Sequence, residues 1–332
     1  MQELVLVQLI GRSRTPFHSR TLSSALKVLF LASTAAVLSF FLIVRPCIAQ
    51  QGGEKIFATP GDAVLALYNA VKSNDSQALN SILGSNAGDI LHTGDDVADK
   101  NMAANFVSRY DEMHRLVIEP DQTVTLYLGA ENWPLPISIV KNSSGAWYFD
   151  TEAGKQEILY RRVGTNENDA IDTLHALVDA QHDYASETRD GDTTKHYALK
   201  FLSDEGKHNG LYWKTDDSEP PSPIGPLIVS AVSEGYTAKQ GTPTPYHGYY
   251  FRILTKQGSA AKGGARDYLV NGKLTRGFAF VAYPAQYRNS GVMTFVVNED
   301  GVVYQKDLGE QTADLAAAMT VYNPDKTWTP AD

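Results

Sequence analysis

The chain has 332 residues, with 29 Lys or Arg against 38 Asp or Glu, a formal net charge of −9 and 43% hydrophobic residues. An acidic chain repels phosphate backbones, and the only basic cluster, at residues 11–20, has another use, so nucleic acid is not an expected partner. A single cysteine excludes a disulfide framework.

Arg12, Arg14, Arg20 and Lys27 precede the apolar run Val28 to Val44, and "RPCIAQ" follows. That order is a secretory signal, with Cys47 and Ala49 placed for cleavage before Gln50, so residues 1–49 are set aside as a signal peptide. The run is 17 residues long, at the lower edge of a bilayer span, and an uncleaved anchor facing the periplasm is the alternative. Membrane contact is expected only through this segment if uncleaved. Arg45 and Pro46 stand where a lipoprotein needs small aliphatic residues before its cysteine. Cleavage removes five basic residues and one acidic residue, taking the net charge from −9 to −13 and leaving no thiol for catalysis or metal binding.

A first domain is predicted over residues 55–163. "TPGDAVLALYNAVKSND" begins a helix capped by Thr59 with Pro60 in its first turn, and Val64, Leu65, Leu67, Tyr68 and Val71 recur at helical spacing. A second helix runs from Ser76 to Gly84 and a third from about Val97 to His114. The period then changes to strands at Thr123 to Gly129, Pro134 to Asn142 and Ala146 to Gly154, with a hairpin loop at Asn142 to Gly145. Helices followed by a curved antiparallel sheet give an α+β class, and the order resembles the cone-shaped nuclear-transport-factor-2-like (NTF2-like) fold.

A boundary is placed near Arg162 to Asn166, and a second α+β domain over 166–329. It opens with a long helix, Asn166 to about Glu187, carrying Ile171, Leu174, Val178, Gln181 and Ala185 on one face. Arg189 to Tyr246 is irregular apart from helical turns near Pro226 to Glu234. Strands resume at Gly248 to Leu254 and fill Gly277 to Gly309. There "GFAFVAY" is apolar on both sides, as in an interior strand, and Asp300-Gly301 forms a hairpin turn.

Chemistry has few footholds. Asp172, His175, Asp179 and His182 fall within one quadrant of the long helix and are suitable ligand types for a divalent transition metal, although a solvated polar face explains them with no further assumption. Asp190, Asp192 and His196 could extend that site or hold calcium, but the loop lacks the oxygen spacing of a dedicated calcium loop. Asp95, Asp96 and Asp99 precede a helix, where acidic residues favour the positive end. The tyrosines of the last third, Tyr246, Tyr249, Tyr250, Tyr283, Tyr287, Tyr304 and Tyr322, suit sheet packing as well as ligand gripping. Tyr283, Tyr287 and Arg288 mark strand ends where function could reside. No Gly-rich phosphate loop, nucleophile elbow or H-E-x-x-H is present, and no cofactor is expected.

From about Phe57 to Trp328 the stretches "PGDAVLALYNAVKSND", "AWYFDTEAGKQEILYRRVGTNENDAI", "SPIGPL" and "GFAFVAYPAQYRNSGVMTFVVNEDGVVYQKDLG" resemble an exported bacterial family known as domain of unknown function 2950. The resemblance implies export from Gram-negative bacteria and assigns no catalytic residue. The second half also resembles the globular head of type IV pilin-like proteins, without their leader. The expected function is a non-enzymatic binding or structural role in the periplasm or envelope, with an unknown protein or small molecule as partner. The alternatives are a metal-dependent or pocket-based enzyme and an accessory protein of a secretion or pilus-like system.

Overall fold

A computed structural model describes residues 53–215, 220–237 and 244–331, and the expected signal segment lies outside them. The first half starts with four helices: α1 (Pro60–Lys72), α2 (Ser76–Leu83), α3 (Gly88–Leu91) and α4 (Asp96–Glu112). Thr59 caps α1 by accepting from the Asp62 N–H, with Pro60 at the first helical position. Asp75 caps α2 and Asp95 caps α4 in the same way. Five strands follow: β1 (His114–Ile118), β2 (Val124–Leu128), β3 (Trp133–Pro134), β4 (Ile139–Lys141) and β5 (Trp147–Phe149). They form one antiparallel sheet in the order β1-β2-β4-β5, with β3 also on β2. Strand β2 alternates between fully and partly buried side chains, and its Val124, Leu126 and Leu128 face α1, α2 and α4 through one hydrophobic cluster.

Helix α5 (Thr151–Ala185) then runs for 35 residues, about 52 Å at helical rise. The predicted long helix therefore starts fifteen residues early, and residues Thr151 to Gly154, expected to end a strand, form its first turn. The expected boundary at 162–166 lies inside it. Asp150 caps it through the Ala153 N–H, and Gly154 lets it pass close to the chain before β4. A Cβ at Gly154 would stand 2.7 Å from the Pro136 carbonyl oxygen and 2.8 Å from the Ile137 Cα, both backbone atoms that cannot swing aside.

Beyond α5 come α6 (Gly225–Ser233), β6 (Tyr249–Leu254), β7 (Lys256–Gln257), β8 (Arg266–Asp267), β9 (Leu269–Val270) and β10 (Lys273–Leu274). The chain ends with β11 (Ala279–Pro284), β12 (Met293–Asn298), β13 (Tyr304–Asp307), α7 (Thr312–Ala318), β14 (Val321–Tyr322) and β15 (Thr329–Pro330). The main sheet has the order β15-β13-β12-β11-β6 and is antiparallel throughout. As its two-sided apolar pattern predicts, β11 is interior, pairing with β6 on one side and β12 on the other. Gly301, with φ of 79°, supplies the left-handed residue of the β12–β13 connection. The carboxyl-terminal part of α5 lies on this sheet and shares its core, with Leu174, Leu177, Val178 and Tyr184 packed among Phe278, Phe280, Phe295 and Val297.

The molecule is thus α+β, with two hydrophobic clusters and one helix common to both halves. The described residues all belong to one compact unit. No helix among them is long and apolar enough to cross a membrane.

Candidate functional site

Polar chemistry concentrates where the two halves meet. Asp95, 2% exposed, sits at the amino end of α4, and each of its carboxylate oxygens has two donors. Oδ1 accepts from the Val97 and Ala98 N–H groups at 3.1 Å each, which is helix capping. Oδ2 reaches into the other half, accepting from the Tyr236 hydroxyl at 2.9 Å and the Gly248 N–H at 3.0 Å. Burial, then the neighbouring Asp95 carboxylate, raises the Tyr236 phenol well above its ordinary value, so it stays a donor.

His247 adjoins this cluster with φ of 49°, beside Gly248 with φ of 74°. The two left-handed residues turn the chain so that the imidazole lies between two acids. Its Nδ1 is 2.7 Å from Asp169 Oδ2 on α5 and its Nε2 is 2.7 Å from Glu234 Oε2 just after α6. Two carboxylates flanking one ring favour the imidazolium, in which both nitrogens donate. Burial, the largest single influence, pushes the His247 value down, but the hydrogen bonds and charges of Asp169 and Glu234 together outweigh it and the net shift is upward. Burial also pushes the adjacent Tyr246 hydroxyl up to about 12.

A histidine whose value is raised on folding stabilises fully below its unfolded value of about 6.5, and that contribution disappears as pH rises through the folded value. We expect the protein to lose stability relative to His247→Gln on going from about pH 6 to about pH 9, measured as the difference between their urea midpoints. A difference independent of pH would contradict the imidazolium assignment.

A third link is Arg162 on α5, buried at the same seam. Its guanidinium donates to the carbonyls of Asp89 at 2.7 Å and Ile90 at 2.8 Å and to the Asn289 side chain, while Asn289 donates in turn to the His92 carbonyl. Burial lowers the Arg162 value, opposed by Asp99 and Asp89. Glu167, one turn on, accepts from the Val292 and Met293 N–H groups at 2.9 Å each and ties α5 to β12.

The structure does not gather the predicted helix face into one site. Asp172 is exposed and lines a shallow depression of about 190 Å³ with Asp169, Tyr246 and His247. His175 is partly buried, Asp179 is exposed, and the His182 ring packs edge-on against Phe278 with Nε2 at 3.3 Å from the Glu299 carbonyl oxygen. Among the described residues no group of three or more His, Cys, Asp or Glu is arranged to hold a metal ion. Asp192 pairs with His196 at 2.8 Å and with Lys273, whose hydrogen bond is the main reason its value lies below the ordinary carboxylate range. Asp190 accepts from the His208 N–H at 2.8 Å, so this loop is a paired polar turn. Tyr249 and Tyr322 are buried and Tyr283 and Tyr304 pack against the core, while Tyr287 donates to Asp307 and carries Arg288 over its ring.

A second depression lies elsewhere, a cleft of about 610 Å³ beside the β12–β13 hairpin. Val302, Pro324, Tyr304 and Tyr322 give it apolar surface, and Asn298, Asp300 and Lys262 supply polar groups, with Lys262 Nζ 3.5 Å from Asp300 Oδ2. The cleft sets these apolar side chains beside polar groups that a ligand could contact.

Fold and seam define an α+β protein whose two sheet-bearing halves share one helix and a hydrogen-bonded polar junction. The profile of the family described as protein of unknown function, DUF2950, matches residues 54–331, and the chain belongs to that family. No curated protein and no solved structure is similar enough to match it.

Proposed function

We propose that the protein is an exported, non-enzymatic binding protein of the bacterial envelope, and that the cleft beside the β12–β13 hairpin is its binding surface. One observation carries the non-enzymatic reading. The ionisable cluster of Asp169, His247, Glu234, Asp95 and Tyr236 is engaged in internal hydrogen bonds, through both His247 nitrogens and both Asp95 carboxylate oxygens. An imidazolium with both nitrogens donating has no lone pair for a proton or a metal, and the Asp95 carboxylate already has two donors on each oxygen. The cluster holds the halves together and leaves ligand contact to the cleft.

Export rests on the basic, apolar and small-residue order of residues 12–49. The finer fold kinships belong to the same reading. Helices preceding an antiparallel sheet support an NTF2-like first half, and a long helix lying on an antiparallel sheet supports a pilin-head-like second half.

Two measurements test these claims. Residues 1–55 fused to a phosphatase that is active only outside the cytoplasm are expected to give active reporter, and a silent fusion removes the export claim. The purified protein is expected to turn over none of a panel of chromogenic esters, glycosides, phosphates and peptides. It is also expected to melt higher with a member of a saccharide and short-peptide set, an effect lost in Asp300→Lys. Turnover abolished by His247→Gln would overturn the binding reading.

A further inference from the structure

The first sheet has two edges, and they are treated differently. At the β5 edge the amino-terminal segment closes the ladder, with Phe57 N–H donating to the Trp147 carbonyl at 2.7 Å and Trp147 N–H donating back at 2.9 Å. At the β1 edge, among the described residues, β1 pairs only with β2. The Glu119 N–H donates to Thr123 and the Gly129 N–H to Met113, so by antiparallel alternation residues 113, 115, 117 and 119 face β2. The N–H and C=O groups of His114, Leu116 and Ile118 point away from the sheet, an open row of donors and acceptors.

The side chains of this strand are also under-covered. Leu116 and Ile118 lie opposite Leu126 and Val124, which are buried, yet they are themselves 38% and 69% exposed. The apolar face of the sheet therefore runs past its last strand. On the other face Arg115 and Glu119 stand two residues to either side of Val117. The Arg115 guanidinium lies over the Tyr127 ring with Nε bonded to Asn132, and Glu119 accepts from the Tyr127 hydroxyl at 3.3 Å.

We propose that the protein pairs with a second copy of itself through β1, antiparallel about Val117, so that the first sheet continues across a two-fold axis. In that register Arg115 of each copy faces Glu119 of the other, and Leu116 of each faces Ile118 of the other. The outward backbone groups of Leu116 and Ile118 fall into hydrogen-bonded positions, and Val117 faces its own copy at a non-hydrogen-bonded position. Edge strands are ordinarily guarded by charge. Here the two charges are of opposite sign and equidistant from the centre, so they repel a shifted register and attract a second copy of the same strand. A two-fold contact of this isologous kind is closed and produces a dimer, with no free β1 edge left to propagate.

The tests use the whole protein as recovered from the producing cell. Sedimentation over a concentration series is expected to show a dimer. Arg115→Glu and Glu119→Arg are each expected to weaken it about tenfold, because two attractive pairs become repulsive, and the double substitution is expected to restore it. In a Cys47→Ser background, Val117→Cys is expected to cross-link two chains under mild oxidation, since facing Cα atoms about 4.5 Å apart lie within disulfide range. Arg115→Cys, displaced along the strand from its own copy, is expected not to. Circular dichroism of each variant separates loss of pairing from loss of folding. A monomer at every concentration, a dimer indifferent to both charge changes, or equal cross-linking from both cysteines each overturns the proposal.

Discussion

Asp95→Ala is expected to cost about 4 kcal/mol of unfolding free energy: about 1 for the lost helix cap and the rest for two buried donors left without an acceptor. The donors are the Tyr236 hydroxyl and the Gly248 N–H, which belong to the opposite half and cannot turn to water without opening the seam. For a chain of this size the melting temperature falls by about 7 °C. Asp95→Asn separates the two roles. Its amide oxygen can still cap α4, but its NH2 group faces the Gly248 N–H, so most of the loss remains. A cycle with Tyr236→Phe is expected to show coupling above about 1 kcal/mol, as contacting residues do. A loss below about 1 kcal/mol for Asp95→Ala, read from urea midpoints, would mean that the cross-half bonds contribute nothing.

Phe280→Ala is expected to cost a similar amount, about 4 kcal/mol, for a different reason. Phe280 is fully buried at the centre of β11, between Ile253 and Val297, with its ring stacked 6.0 Å from Phe201 and edge-on to Phe278 at 5.7 Å. Truncation opens a cavity inside the most regular sheet of the molecule, where neighbours on both sides are held by ladder bonds and cannot collapse into it. Tyr283→Phe, three residues along the same strand but partly exposed, is expected to cost under about 1 kcal/mol. The variant also reports on cooperativity. Trp133 and Trp147 pack on the first cluster, and Trp213 and Trp328 on the second. With α5 and the seam joining the halves, fluorescence from both pairs is expected to change at one denaturant midpoint, lowered together by Phe280→Ala. Two separate midpoints, with the first pair unmoved, would show that the halves unfold independently.

Much of the fold was legible in the sequence because burial imposes period. The two-sided apolar β11, the Asp300-Gly301 turn and the caps of α1 and α4 follow from residue chemistry at short range. What escaped was decided by contacts at long range. The run Ala146 to Gly154 reads as a strand closed by glycine, which leaves the start of the helix at Asn166. Gly154 is there because the Pro136 to Ile137 backbone passes too close for a Cβ, which local propensity does not record. Strand β1 was hidden because Met113 follows Phe106, Val107 and Tyr110 at helical spacing, and the β-rich run Leu116 to Ile118 is short. The polar site was the least readable. The helix-face spacing drew attention to Asp172, His175, Asp179 and His182, whereas the structure joins His247 to acids 78 and 13 residues away and Asp95 to a tyrosine 141 residues away. No motif spans such intervals. The one local trace was "YHGYY", where a histidine before glycine marks a tight reversal that aims a side chain inward.

Because α5 runs unbroken from one half to the other, it fixes the phase between them as a keyed shaft does between two wheels. One residue inserted near Gly164 would advance the second half by about 1.5 Å and rotate it by about 100°, carrying Asn289, Tyr236 and Gly248 away from Arg162 and Asp95, their partners across the seam. Seven residues, close to two full turns, would nearly restore the angle while drawing the halves about 10 Å apart along the axis. Insertions and deletions are therefore tolerated in loops and not in this helix, and the two halves can diverge in surface while remaining locked in rotation.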